Sequence, residues 1–338
     1  MIKHGLKLFL MAAMAVSLMI GRPAAVGLAS DTDRPAALTW INFNEGATSA
    51  TVTGRMDANS RTRYVLRAGE RQLLDATLTG PDGASLAVRR RNGGALSGYI
   101  QTTTAFRGHT PSAGDYILDV YTGAKGGEYS LYVSIPEKVA FAYNTTARLL
   151  EGELAAHESH EYSVRAAAGQ ILDVSVESNI PDSAGGGVQL VIFGADGSVL
   201  RSGMGEGALF RGELPLSQSY IIRLRAGDEA VKYSLNIVIP RRISFARGAY
   251  SASDTRRVTA QSSLHYTAWG KEGQKMTVTV DANRPVQLIV YGVDGEVLQS
   301  GMGDATSFQG KLVATQDYIL VVRAGDAAAS YTITVTIR

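Results

Sequence analysis

The chain has 338 residues, which leaves room for two or three domains of ordinary size. It contains no cysteine, which excludes disulfides among these residues and a cysteine-linked lipid. Its 33 basic and 31 acidic side chains nearly cancel, and without Lys3, Lys7 and Arg22 of the first 29 positions 30 basic residues face 31 acidic ones, a balance with no footprint for nucleic acid.

The first element is a leader. Lys3 and Lys7 precede an uncharged apolar stretch from Leu8 to Ile20, and Gly27 and Ala29 supply the small residues a signal peptidase requires. The expectation is a signal peptide over residues 1–29, a periplasmic or secreted protein, and no transmembrane segment after cleavage.

Beyond the leader the chain repeats itself. Phe43, Phe141 and Phe245 are 98 and 104 positions apart, and so are Tyr64, Tyr162 and Tyr266, and Gln72, Gln170 and Gln274. Further on the intervals swap to 104 and 98, for Phe106, Phe210 and Phe308, for Tyr116, Tyr220 and Tyr318, and for Tyr129, Tyr233 and Tyr331. Weak helical periodicity, abundant glycine and frequent turn signals predict an all-β chain. Its modules are expected to be antiparallel, jelly-roll-like sandwiches at residues 38–136, 137–240 and 241–338.

Within each repeat the order of elements follows from pattern. Asp196-Gly197 and Asp294-Gly295, between β-branched and aromatic residues, predict tight hairpin turns, and Pro81-Asp82-Gly83 is taken as their counterpart in the first repeat. On that anchoring the first repeat has an enlarged segment, because Asp82 lies 34 positions before Tyr116 and Asp196 only 24 before Tyr220. Each repeat closes with two alternating runs, as in Tyr318, Leu320, Val322 and then Tyr331, Ile333, Val335, Ile337, which predict a hairpin with one buried face. The tyrosine opening that pair, Tyr116, Tyr220 or Tyr318, is expected to be buried with its hydroxyl on a backbone group. Pro136 and Pro240 mark short, stiff joints.

A search for chemistry finds no constellation. The strings LRSGMG and LQSGMG place Leu200 and Leu298 where a nucleophile elbow needs glycine. His157 and His160 depart from zinc-protease spacing, and His109 and His265 have no evident partners. No phosphate loop or dinucleotide fingerprint is present, and the scattered carboxylates offer no acid and nucleophile pair. The reading is a non-enzyme with no cofactor and no metal. The triplet Arg89-Arg90-Arg91 reads as a solvated loop in preference to a phosphate clamp. With Gly93, Gly94, Ser97 and Tyr99 it forms a candidate protein-binding loop, the alternative being an idle surface insertion.

The run from Ile41 to Gly54, then Tyr64 to Ala68, Gln72, and Ser112 to Ile135, resembles the periplasmic inhibitors of goose-type lysozyme. The same pattern is similar to bacterial pre-peptidase C-terminal domains, and the likeness extends to all three repeats. It implies a β-sandwich binding protein whose partner is a protein, a muramidase among the candidates, or an envelope glycan. The family's inhibitory tyrosine has Asn59, His157 and Ser262 in its place, and Lys125, Asp228 and Asp326 stand where it presents arginines. Exposed Trp40, Tyr143, Tyr250 or Trp269 would serve a glycan-binding array.

Overall fold

The computed structural model describes residues 38–44, 46–96, 103–180, 187–203, 208–301 and 305–338. The leader therefore lies outside the described residues, as do Ser97 and Tyr99. Residues 37–338 form one compact unit. Among the described residues there is no helix, and so none long and apolar enough to cross a membrane.

The first sandwich comprises β1 (Leu38–Trp40), β2 (Ser49–Met56), β3 (Arg61–Ala68), β4 (Leu73–Thr79), β5 (Ser85–Arg90), β6 (Ala105–His109), β7 (Gly114–Tyr121) and β8 (Gly127–Ser134). The second comprises β9 (Glu137–Lys138), β10 (Ala147–Leu154), β11 (Ser159–Ala166), β12 (Ile171–Ser178), β13 (Gln189–Gly194), β14 (Val199–Arg201), β15 (Leu209–Glu213), β16 (Gln218–Arg225) and β17 (Val231–Val238). The third comprises β18 (Arg241–Arg242), β19 (Ser251–Val258), β20 (Ser263–Gly270), β21 (Lys275–Ala282), β22 (Val286–Gly292), β23 (Val297–Gln299), β24 (Ser307–Lys311), β25 (Gln316–Ala324) and β26 (Ala329–Ile337).

From β2 to β8 successive strands alternate between two sheets, ordered β1-β3-β7-β5 and β2-β8-β4-β6. The second sandwich repeats this as β9-β11-β16-β13-β14 and β10-β17-β12-β15, and the third as β18-β20-β25-β22-β23 and β19-β26-β21-β24, a jelly-roll order. Three apolar cores result, each fed by the inward residues of both sheets.

The alternation corrects the expected closing hairpin. β7 and β8 lie in different sheets, as do β16 with β17 and β25 with β26. Each of these six strands is hydrogen-bonded on both sides in its own sheet, so no edge remains for the other. The two buried faces are as expected, but they meet across the core. The sequence pattern of a hairpin and of two facing central strands is the same alternation.

The recurring tyrosines are structural. Tyr116, Tyr220 and Tyr318 are buried and donate to the carbonyls of Ser112, Leu216 and Ala314 at 2.5, 2.6 and 2.6 Å, four residues back. Tyr64 with Tyr129, Tyr162 with Tyr233 and Tyr266 with Tyr331 join the two sheets through hydroxyl pairs of 2.5, 2.7 and 2.7 Å. Burial raises the Tyr64, Tyr162 and Tyr331 phenols and pushes Tyr266 up to about 12, so these groups hold neutral hydrogen bonds. Gln72, Gln170 and Gln274 accept from the backbone N–H three residues earlier and close the turn before β4, β12 and β21.

The aspartate-glycine turns join β13 to β14 and β22 to β23, with only Gly197 and Gly295 at positive φ (90° and 92°). In the first sandwich Pro81-Asp82-Gly83 instead crosses between sheets, from β4 to β5. The true counterpart of the turn is Asn92-Gly93-Gly94. Arg90 N–H donates to Gly94 O and Gly93 N–H to Arg90 O, as Gly194 N–H donates to Ser198 O and Gly197 N–H to Gly194 O. Gly93, Gly197 and Gly295 each stand 23 positions before their tyrosine, so the first repeat has no insertion there. The six extra residues belong to the second sandwich, between β12 and β13.

Candidate functional site on the first sandwich

Arg89 and Arg90 belong to β5 and are not loop residues; Arg91 follows directly. Alternation along β5 sends Arg89 to the outer face of its sheet and Arg90 to the side of Tyr116. On the outer face Asp119, 2% exposed, is held by Arg89 at 2.9 Å and Arg63 at 3.3 Å. Asp115 takes Arg67 at 2.9 Å and Arg91 at 3.2 Å. Those arginines, Arg67 first, hold the Asp115 carboxyl below the usual carboxylate range. Arg89 and Arg91 are thus committed to ion pairs within the sheet.

Arg90 is different. It lines a cavity of about 370 Å³ together with Arg91, Asn92, Ser112, Asp115 and Tyr116, and among the described residues its guanidinium has no partner. The other two sandwiches show how this cavity arises. There the Arg90 position is Gly194 or Gly292, and the space a Cβ would need is filled by Gln218 and Asp196, or Gln316 and Asp294. Gln218 accepts from Asp196 N–H at 3.0 Å and donates to its carboxylate at 3.1 Å; Gln316 does the same to Asp294 at 3.1 and 2.7 Å. In the first sandwich the glutamine is replaced by Gly114, the aspartate by Asn92 and the glycine by Arg90. Three substitutions at one spot exchange a closed hydrogen-bonded clasp for an open pocket with a cation.

Sequence reasoning pointed to Arg90 through the triplet but misassigned its setting, because it anchored the turn on Pro81-Asp82-Gly83. The turn between β2 and β3 and its counterparts hold Asn59, His157 and Gln261 in the left-handed region (φ 53°, 63° and 55°), so the third position is Gln261 and not Ser262. His160 stacks on Tyr162 at 4.5 Å and lies 3.5 Å from Glu137, and burial lowers its pKa. His265 bonds Thr146 at 3.1 Å. Among the described residues no group of three or more His, Asp or Glu side chains could hold a metal.

No family model matches the sequence, and no curated protein matches it either. Among solved structures, the chain is similar to PliG of Aeromonas hydrophila, a periplasmic inhibitor of g-type lysozyme. That match is 25% identical with a TM-score of 0.27 and covers 29% of this chain and 96% of that one. PliG of Salmonella Typhimurium matches at 19% identity and TM-score 0.25, covering 30% and 99%. These likenesses are too slight to carry an argument, and the functional reading rests on the chain's own residues.

Proposed function

We propose that this is a non-enzymatic, extracytoplasmic binding protein. Its modules are residues 38–136, 137–240 and 241–338, and a protein partner is taken at the Arg89–Arg91 edge of the first; Ser97 and Tyr99, outside the described residues, are further candidates for contact. The observation that supports this is Arg90, unpartnered among the described residues, in a cavity that the other two sandwiches fill. Arginine is a favoured interface anchor because its planar fork meets a carboxylate with two hydrogen bonds. A muramidase of the goose type is the partner to test first. The full chain is expected to bind the purified lysozyme and slow cell lysis at roughly micromolar concentration, and Arg90→Gly to weaken both about tenfold or more. Glycine occupies that position in the other sandwiches, so the variant tests binding and not folding. Neither binding nor slowed lysis by the unaltered chain would end the antagonist reading.

A second reading is a glycan- or envelope-binding array of the pre-peptidase C-terminal type. Trp40, Tyr143, Tyr250 and Trp269 support it, being 45%, 93%, 63% and 47% exposed. Soluble peptidoglycan fragments should then quench tryptophan fluorescence, and a flat titration would count against it.

A further inference from the structure

The two junctions between sandwiches are built at equivalent positions, yet one contains a cluster of cations whose balancing carboxylate has been lost. Along the strand pair β3–β7 the register sets Arg67 opposite Asp115, and the two form an ion pair. In the third sandwich the register sets Trp269 opposite Asp317, and Asp317 receives both terminal nitrogens of Arg242, from the joint strand β18, at 2.8 Å each. Arg242 also donates to the carbonyl of Gly169 in the second sandwich at 3.1 Å, so it ties the junction shut.

In the second sandwich the same register sets Arg165 opposite Ser219. The joint cation there is Lys138, in β9, and neither Lys138 nor Arg165 has an ion-pair partner among the described residues. Facing them from the first sandwich are Arg71, in the place of Gly169, and His109, in the place of Glu213. Glu70, 3.6 Å from Arg71, supplies the one carboxylate lining the groove. These residues line a cavity of about 660 Å³. Counting formal charges with histidine neutral, Arg71, Lys138 and Arg165 against Glu70 give this groove +2. The equivalent positions at the other junction, Arg242 against Glu213 and Asp317, give −1. A cleft of one sign between low-dielectric walls focuses the field and concentrates counter-ions.

We propose that this groove, between the first and second sandwiches on the side of Lys138, is a binding site for a ligand bearing carboxylate or phosphate groups. The ligand's anion takes the place that the Asp317 carboxylate holds at the second junction, bridging Lys138 and Arg165, with Arg71 contributing from the opposite wall. The site is separate from the Arg90 cavity, so its test does not depend on the protein-partner reading.

The test is calorimetric titration of the full chain with citrate in one arm and inorganic pyrophosphate in the other, against sodium chloride at matched ionic strength. Saturable binding is expected in at least one arm: citrate alone assigns a carboxylate ligand, pyrophosphate alone a phosphate ligand. Ser219→Asp should weaken binding about tenfold or more by restoring the internal carboxylate. Because the other two sandwiches carry aspartate at that position, the variant keeps the fold, and it leaves the lysozyme assay unchanged. A second variant, Lys138→Gln with Arg165→Gln, should abolish binding. No saturable binding beyond the chloride control, or equal affinity in Ser219→Asp, would overturn the proposal.

Discussion

Replacing Arg223 by alanine should open the junction between the first two sandwiches. Arg223 of β16 donates through Nε to Glu161 of β11, a carboxylate with no exposed surface. The guanidinium lies 5.0 Å over Phe193 and 5.1 Å over Tyr132, and 4.0 Å from Asp75. Without it Glu161 keeps the hydroxyls of Tyr132 and Ser134 but loses its cation, whereas Asp75 retains Arg107 at 2.6 Å. Breaking a buried pair by removing one partner costs about 3–5 kcal/mol, because the other charge stays in low dielectric. The chain can relieve that cost by parting the two sandwiches and hydrating Glu161. The amide of Glu161 reports such parting directly, since it donates to the Thr48 hydroxyl across the junction at 2.7 Å. Native-state hydrogen exchange at that amide should therefore accelerate by roughly two to four decades, while amides inside β16 and β17 hold their rates. The second junction has His265 and Val321 where the first has Glu161 and Arg223. The double variant Glu161→His with Arg223→Val should recover most of the protection. Unchanged exchange at Glu161 in Arg223→Ala would mean that the carboxylate is already hydrated, and the reasoning would fail.

Two further outcomes are expected. Tyr220→Ala removes a fully buried ring and should cost about 3–5 kcal/mol in urea unfolding, whereas Tyr220→Phe, which leaves the Leu216 carbonyl without its donor, should cost about 1 kcal/mol; equal losses would show that the hydroxyl and not the ring carries the site. Burial, and then the Arg323 cation, depress the His265 pKa to about 4 from 6.5, so the unfolded chain takes up the proton first. Stability is then complete above pH 6.5 and falls as the pH is lowered toward 4, by about 3 kcal/mol in all, and His265→Gln should flatten that slope in thermal melts between those pH values.

The residues that a reader of the sequence can use are those whose role is local. Asp196-Gly197 forms its turn within a few residues, and Tyr220 reaches a carbonyl only four residues back, so both were legible. Pairing partners were not legible, because β16 meets β11 and β13 and never its neighbour β17, and inward alternation is indifferent to which sheet a strand joins. The Arg90 cavity was half legible. The triplet drew attention, but only the backbone bonds of Asn92-Gly93-Gly94 reveal that Arg90 sits where glycine sits elsewhere. The recurrence of Phe106, Phe210 and Phe308 was legible but its cause was not: each lies over the glycine two residues on, with ring atoms 3.0, 3.2 and 2.6 Å from where its Cβ would be. The spacing Phe-x-Gly at the edge strands β6, β15 and β24 is therefore a packing requirement.

The two inner junctions are built from equivalent residues. Each inner junction sets an aliphatic residue of one sandwich, Leu73 or Ile171, against Phe193 with Ile221 or Tyr291 with Ile319 of the next. A lateral arginine then completes it: Arg107 lies 4.6 Å over Phe193 and 2.6 Å from Asp75, and Arg211 lies 4.7 Å over Tyr291 and 2.7 Å from Asp173. On the third sandwich the donating positions are Lys275 for the aliphatic residue, Thr277 for the aspartate and Gln309 for the arginine. On the first sandwich the receiving aromatic position is Arg89, already bound to Asp119. A further contact of the same kind would thus bring Lys275 to Arg89, cation to cation, with no ring for an arginine to cover. The inner faces carry the apolar and aromatic residues that association needs, whereas the equivalent faces of the third and first sandwiches carry Lys275, Thr277 and Gln309, and Arg89 beside the retained Ile117. The Arg90 cavity and the Lys138 groove are places where one sandwich departs from the other two, whereas the tyrosines, glutamines and Phe-x-Gly pairs that all three share are occupied in holding the sheets together.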